Sequence, residues 1–430
     1  MLGPIVKEAP MEEFDTVVVG AGQAGVAMSE HLTTLGIPHV VLERARIAER
    51  WRTERWDSLV ANGPAWHDRF PNMAFACDDD AFPDKESVAA YFETYAKRFN
   101  APIRTGVDVT AVTPKDGGFV IETSKGTIRA RHVVAATGPF QKPAIPPVVP
   151  AEAGPLQLHS NAYHNPDQLP QGAVLVVGGG SSGVQIAEEL MAAGRKVYLS
   201  IGPHDRPPRR YRGRDNVWWL GVLGKWNADS PGPGTEHVTI AVSGAHGGKT
   251  IDFRALAHRG MTLLGMTEGY RDGVVRFADD LKTNLQAGDT NYLSVLDEAD
   301  AYIAKHGLDL PKEPEARIIP QDPACVTDPV REIDLAEAGI ATILWATGYQ
   351  FDFSWIKADT FDDAGRPQHQ RGVSREPGLY FVGLPWQTRR GSSFIWGVWH
   401  DAKFIADQIA IQRGYMAYQG CAAIRVPEDA

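Results

Sequence analysis

Residues 18–25 read VVGAGQAG and residues 176–183 read VVGGGSSG. This repeated glycine turn constrains the fold more than any other feature of the chain. In each copy a β-branched strand enters a Gly-x-Gly-x-x-Gly turn, and the next residues carry apolar side chains at helical spacing, VAMSEHLTTLG or VQIAEELMAAG. The glycines serve separate needs. In the first copy Gly20 makes the tight turn, Gly22 lets the main chain approach a pyrophosphate, and Gly25 lets the helix lie against the strand. Amides at the helix start then face the phosphates. Alone, such a run is as readily an ordinary turn. Strand and helix together make each copy a Rossmann-type unit, so the expected class is α/β with two dinucleotide-binding domains.

The segments downstream of the turns distinguish the two units. After the first, HVVLER (39–44) reads as a strand whose Glu43 lies 23 residues beyond Gly20, near the distance at which a carboxylate binds ribose hydroxyls. A ribose without a 2′-phosphate fits there, whether from NAD or FAD. After the second, KVYLSI (196–201) puts Ile201 at the same spacing from Gly178, with no acid to repel a 2′-phosphate. Downstream, Arg206, Arg209, Arg210, Arg212 and Arg214 fall within nine positions. Guanidinium groups pair bidentately with phosphate, so NADPH is expected over NADH; a solvated basic loop is the rival reading of the arginines.

Composition frames these units. The chain of 430 residues, 43% hydrophobic and 22% charged, is sized for two globular domains. Its formal charge of −10 disfavours general nucleic-acid binding. Cys77, Cys325 and Cys421 are too scattered for a disulfide scaffold or a C-x-x-C dithiol, and no metal-ligating constellation occurs. MLGPIVKEAP lacks the apolar core of a signal peptide, and no uncharged apolar run reaches the roughly 20 residues of a membrane span. A cytoplasmic protein with no membrane partner is expected.

Two more runs, HVVAATG (132–138) and TILWATG (342–348), each read as a strand ending in Ala-Thr-Gly where the chain crosses back between nucleotide domains. With these landmarks the chain resembles the class B flavin-containing monooxygenases and the related YUCCA-like and CzcO-like flavoproteins. The resemblance covers almost the whole length through GAGQAG, LERARIAERWR, ANGPAW, GGGSSG, ATGY (346–349) and GLYFVG (378–383), in that order. It implies a discontinuous FAD domain (11–155 and 335–430) with an NADPH domain and helical insertion (156–334) set into it. Candidate cofactor-binding residues around the first turn are Gly20, Gly22, Gln23, Ala24, Gly25, Glu43, Arg44, Trp51, Arg52, Thr137 and Gly138. Around the second they are Gly178, Gly180, Ser181, Ser182, Gly183, Ser200, Arg206, Arg209 and Arg210, with Ala346, Thr347 and Gly348 at the return.

The family fingerprint F-x-G-x-x-x-H-x-x-x-Y/F finds His159 and Tyr163, but Ala153 and Pro155 stand where the family has phenylalanine and glycine. His159 reads equally as a clamp on the interdomain linker. ANGPAW is similar to the segment that carries the family's active-site asparagine; without the family, Asn62-Gly63-Pro64 is simply a turn. The resemblance makes Asn62 the candidate catalytic residue, an amide able to hydrogen-bond an adduct at flavin C4a without titrating. It implies NADPH-dependent insertion of one oxygen atom from molecular oxygen into a small organic substrate through a flavin C4a-hydroperoxide. N- or S-oxygenation, or attack on a 2-oxo acid carbonyl, are the expected reactions. Alternatives are an NADPH oxidase or reductase without oxygen insertion, a Baeyer–Villiger-type monooxygenase, and a non-catalytic NADPH-sensing flavoprotein.

Near the C-terminus, Trp386, Trp396, Trp399 and His400 either line the pocket over the flavin ring or pack as core, while Asp401 and Lys403 read as solvated. Residues 291–307 read as a helix serving as a lid or a homodimer contact, VWWL (217–220) as buried or interfacial, and DDD (78–80) as a solvated loop.

Overall fold

The computed structural model describes residues 11–230 and 239–418; Cys421 and the two terminal runs lie outside the described residues. Two sheets organise the chain. In the first, Glu12–Val19 is flanked in parallel by His39–Glu43 and Gly126–Ala135, with Leu379–Phe381 beyond the latter and Ile103–Thr105 beyond the former. Val18 faces a core built with the helices Gln23–Thr34, Lys85–Arg98 and Ile395–Ala417, whereas Val17 and Val19 face Phe119, Ile121 and Phe353. Burial on both faces explains why the run VVV (17–19) is continuously apolar rather than alternating. Each fully buried valine contributes about 1.5–3 kcal/mol.

The second sheet is wholly parallel, in the order Thr262–Leu264, Val197–Ser200, Ala173–Val177, Ile340–Trp345, Leu156–His159. Helix Ser181–Ala192 covers one face, and a small antiparallel sheet of Thr267–Arg271, Val274–Phe277 and Glu332–Asp334 covers the other. The TILWATG strand therefore belongs to the second unit. The expected return at residue 335 is corrected to about residue 349, because Ile340–Trp345 pairs on both edges inside the second sheet. The two crossings run side by side as the antiparallel pair Lys142–Pro143 and Tyr349–Gln350.

The expected helix at 291–307 is the later part of a longer one, Leu281–His306, closed by Gly307 in the left-handed region at φ 61°. Its Tyr292, Leu296, Ala299 and Ile303 are buried with Tyr211 and Trp219, so this apolar face is taken up by internal packing. VWWL is accordingly a buried helix, part of Asn216–Val222. Asp78, Asp79 and Asp80 are exposed, as expected of a solvated loop.

Candidate active site

The two glycine turns are built alike, atom for atom. The Gly20 amide donates to the Leu42 carbonyl (2.8 Å) and the Gly178 amide to the Ser200 carbonyl (3.0 Å). Leu42 therefore corresponds to Ser200, and Glu43 to Ile201. The Ala136 amide donates to the Val19 carbonyl and the Ala346 amide to the Val177 carbonyl, so each Ala-Thr-Gly run closes against its own glycine turn. Gly20 (φ 104°) and Gly178 (φ 117°) occupy conformations open to glycine, and a side chain on either would run into the carbonyl of Ala136 or Ala346. Gly25 and Gly183 sit so close to the Gly20 and Gly178 carbonyls that no Cβ fits.

The first turn opens onto a cleft of about 430 Å³. Gly20, Gly22, Gln23, Ala24, Glu43, Arg44, Trp51, Thr137 and Gly138 all line it. Both Glu43 oxygens accept main-chain amides, from Ala21 (2.8 Å) and Ala45 (2.9 Å), which fixes the carboxylate at the end of its strand and leaves lone pairs for further donors. No side chain caps helix Gln23–Thr34 at Gly22. Gln23 Nε2 donates to the Ser393 carbonyl (2.8 Å), tying the turn to the loop before the C-terminal helix.

Arg52 does not reach this cleft: its guanidinium pairs with Glu93 (3.0 Å) and Glu86 (3.6 Å) instead. The cleft-lining cation of that short helix, Glu49–Thr53, is Arg50, whose Nη1 is buried without a hydrogen-bond partner. Residues two apart on a helix point about 200° away from each other, so only one of the two arginines can face the cleft. Arg55, over the rings of Trp51 (5.8 Å) and Phe140 (5.1 Å), also lines the cleft, as does Gln141. Sequence reasoning missed these residues; the GPF continuation of HVVAATG was the available signal for Phe140, while five helical residues carry too little periodicity to orient Arg50.

The uncapped helix start, the fixed carboxylate and an orphaned guanidinium nitrogen fit a dinucleotide with a bare ribose.

The second turn differs. Ile201 is fully buried against Gly179, so the position equivalent to Glu43 offers no acid to the turn. The Ser200 hydroxyl points into its own sheet, bonded to the Gly265 carbonyl (2.8 Å) and Thr267 Oγ1 (2.9 Å) with 2% of the residue exposed. Arg206 and Arg209 are buried, which corrects their expected role as free phosphate ligands. Arg206 pairs with Asp289 (2.8 Å), which Arg254 shares (2.9 Å), and Arg209 forks onto Asp215. Buried guanidiniums need such partners, since an unpaired one pays several kcal/mol of desolvation, about as much as the pair regains. Arg210 remains exposed. Gly180, Ser181 and Ser182 begin helix Ser181–Ala192 with Gly183 packed inside it, and Thr347 donates to the Ala144 carbonyl beside Gly348 in the linker.

Asn62 stands at the seam between the units. Its Oδ1 accepts from Gln185 Nε2 (2.9 Å) on the second unit's helix, and its carbonyl accepts from Arg209 Nη1. It does not line the first cleft. Beside it in sequence, His67 stacks on Trp226 (5.2 Å) and meets Trp66 and Trp396 edge-on, joining three distant segments. Trp399 instead donates to Glu30 (2.6 Å) and belongs to the first core, and Trp386 lines a separate hollow with His369 and Arg375. Lys403 is exposed and paired with Asp407, as expected. Asp401 is not solvated: it is buried, accepts from Thr388 Oγ1 (2.6 Å), and burial pushes its carboxyl above the usual range.

His159 Nε2 lies 2.9 Å from the Gly348 carbonyl and its ring meets Tyr349 edge-on, while burial holds its pKa down. Tyr163 donates to Glu189 (2.6 Å), which Ser58 also bonds. The two fingerprint residues thus clamp the linker and the seam.

A family model described as pyridine nucleotide-disulphide oxidoreductase matches residues 17–212. An uncharacterized CzcO-like oxidoreductase of Geobacillus kaustophilus is 34% identical over 399 residues, covering 92% of this chain and 98% of that protein. The indole-3-pyruvate monooxygenase YUCCA1 of rice (Oryza sativa subsp. japonica) is 28% identical, covering 92% and 91%. The solved flavin-containing monooxygenase of Stenotrophomonas maltophilia superimposes with a TM-score of 0.65 at 18% identity, covering 94% of this chain and all of that one. Among the described residues no helix is long and apolar enough to cross a membrane. The chain belongs to the CzcO-like family of oxidoreductases.

Proposed function

We propose that the protein inserts one oxygen atom of molecular oxygen into a small organic substrate at the seam beside Asn62, with FAD at the first glycine turn and NADPH at the second. The observation that carries this reading is the pair of like-built turns that differ at Glu43 and Ile201. A carboxylate at the first favours a bare ribose, and its absence at the second admits a 2′-phosphate.

FAD, when bound, supplies a redox centre that takes a hydride from NADPH and reacts with oxygen. Glu43 is suited to the ribose hydroxyls, and the orphaned Arg50 Nη1 to a pyrophosphate oxygen. Asn62 has its Oδ1 taken by Gln185, which leaves Nδ2 as a hydrogen-bond donor that keeps its character at any working pH. Trp66, Trp226 and Trp396 gather around His67, five residues along the same segment, and offer an apolar surface for a substrate. Amines, sulfides, 2-oxo acids of the indole-3-pyruvate type and cyclic ketones are the substrate classes to be separated.

The test is coupled turnover. With NADPH, oxygen and each class in turn, one class should yield oxygenated product in step with NADPH oxidised. Peroxide matching NADPH for every class would overturn the reading in favour of an oxidase, and negligible NADPH turnover in favour of a sensor. A lactone or ester from a cyclic ketone would assign the Baeyer–Villiger alternative.

A further inference from the structure

Residues 239–242 cross the second glycine turn where the first turn is open. Ser181, the first residue of helix Ser181–Ala192, donates both its amide (2.9 Å) and its hydroxyl (2.8 Å) to the Ile240 carbonyl. The Val242 amide donates to that same hydroxyl (3.3 Å), and Gln185 Nε2 donates to the Val242 carbonyl (3.2 Å). Thr239 lies over the turn, its Cγ2 3.1 Å from where a Cβ on Gly180 would stand. The segment is anchored in turn, since the Asp205 amide donates to the Thr239 carbonyl (2.8 Å) and the Ala241 amide to the Asp205 carbonyl (2.9 Å). Ala241 is fully buried.

A dinucleotide at such a turn sets its pyrophosphate on the first helical amides, at the positive end of the helix. Here a main-chain carbonyl already accepts from the amide of Ser181. The two ligands are acceptors of the same donor and cannot share it. A phosphate oxygen is anionic and its hydrogen bonds are roughly twice as strong as those of a neutral carbonyl, so it can displace the segment. Among the described residues nothing comparable covers the helix start at Gly22, whose turn lines an open cleft.

We propose that residues 239–242 are an internal occupant of the second dinucleotide's pyrophosphate site, which the incoming nucleotide must displace. The inference rests on the reading that NADPH binds at the second turn. Displacement also breaks the bond from Gln185 to Val242 while its bond to Asn62 can persist, so arrival of the nucleotide is communicated to the seam through one side chain. The measured affinity for the nucleotide is then its intrinsic affinity reduced by the fraction of molecules with the segment open.

Hydrogen exchange on the full FAD-loaded chain, with and without saturating NADP⁺, tests this. The Ala241 and Val242 amides should exchange at least about tenfold faster once NADP⁺ is bound, while amides of residues 178–183 slow. Unchanged or slower exchange at 241 and 242, with protection gained at 178–183, overturns the displacement alone. If bound NADP⁺ leaves 178–183 unaltered, the second turn is not its site and both readings fail. As an independent check, Ala241→Pro removes the amide that anchors the segment to Asp205. It should tighten NADP⁺ binding about fivefold, the worth of one net hydrogen bond, with FAD content unchanged. A folded, flavin-loaded Ala241→Pro protein with unchanged or weaker NADP⁺ binding counts against the proposal, and the exchange result decides if this variant does not fold.

Discussion

Gln185 Nε2 donates to Asn62 Oδ1 at 2.9 Å, joining the helix of the second glycine turn to a turn of the first domain 123 residues earlier in the chain. The bond fixes which way the Asn62 amide faces and therefore which of its two polar ends is left for a ligand.

Asn62→Ala removes that donor while leaving the first cleft untouched. FAD content should stay at the wild-type level, and the fraction of NADPH oxidised that appears as peroxide should rise about tenfold, less than the roughly 100-fold or more that loss of a dedicated oxyanion donor costs. Gln185→Leu should raise peroxide in the same direction but less, because it frees the amide without deleting it. A peroxide assay beside NADPH consumption reads both, and unchanged coupling in Asn62→Ala would remove the residue from the mechanism.

Gly25 and Gly183 should fail in different ways although they are equivalent in their units. A methyl on either presses on the carbonyl of the turn glycine and forces helix from strand, costing about 1–3 kcal/mol or more. Gly25→Ala is expected to lower flavin content and the melting temperature together. Gly183→Ala should keep FAD and lose affinity for NADPH, read by flavin absorbance and nucleotide titration.

Arg206→Ala and Arg209→Ala should unfold before they change nucleotide preference. Arg209→Ala strands the Asp215 carboxylate and Arg206→Ala leaves the buried Asp289 with Arg254 alone, and breaking one side of a buried pair costs about 3–5 kcal/mol, the smaller loss expected at Arg206. Of Arg206, Arg209 and Arg210, the exposed Arg210 is the arginine that remains available for a 2′-phosphate. Arg210→Ala should leave stability unchanged and raise KM for NADPH, not NADH, by about tenfold.

Asp401 sets a pH dependence of opposite sign to that of an ion-paired carboxylate. Burial raises its folded pKa above the unfolded 3.8, so the folded state holds the proton more tightly. The stability this contributes is complete below the unfolded value and is lost as pH rises through the folded one. Asp401→Asn keeps a group able to accept from Thr388 but cannot ionise. Its melting temperature should gain on wild type as pH rises from about 4 toward neutrality. Parallel curves for the two proteins over that range would show that Asp401 ionises freely.

Local spacing was enough to read both glycine turns, their strands and helices, the acid at Glu43 and its replacement by Ile201, because the contacts involved span about 25 residues and repeat with the period of the backbone itself. The same reading named nine of the 27 residues that line the first cleft. It could not orient Arg50 against Arg52, since a five-residue helix shows its phase only through what it packs on. Nor could it recognise Arg206 and Arg209 as structural, because Asp289 lies 83 residues from Arg206 and the crowding of positive charge gave no hint that carboxylates would fold onto it. TILWATG and HVVAATG look alike as sequences, yet each strand joins a different sheet according to the partner whose edge is free. Residues 239–242 carry no motif at all, and their position over Ser181 comes from main-chain groups that every residue possesses. Side-chain chemistry and short-range periodicity are thus written in the order of residues, whereas the pairing of buried charges and of unlabelled main-chain donors depends on which distant segments the cores bring together.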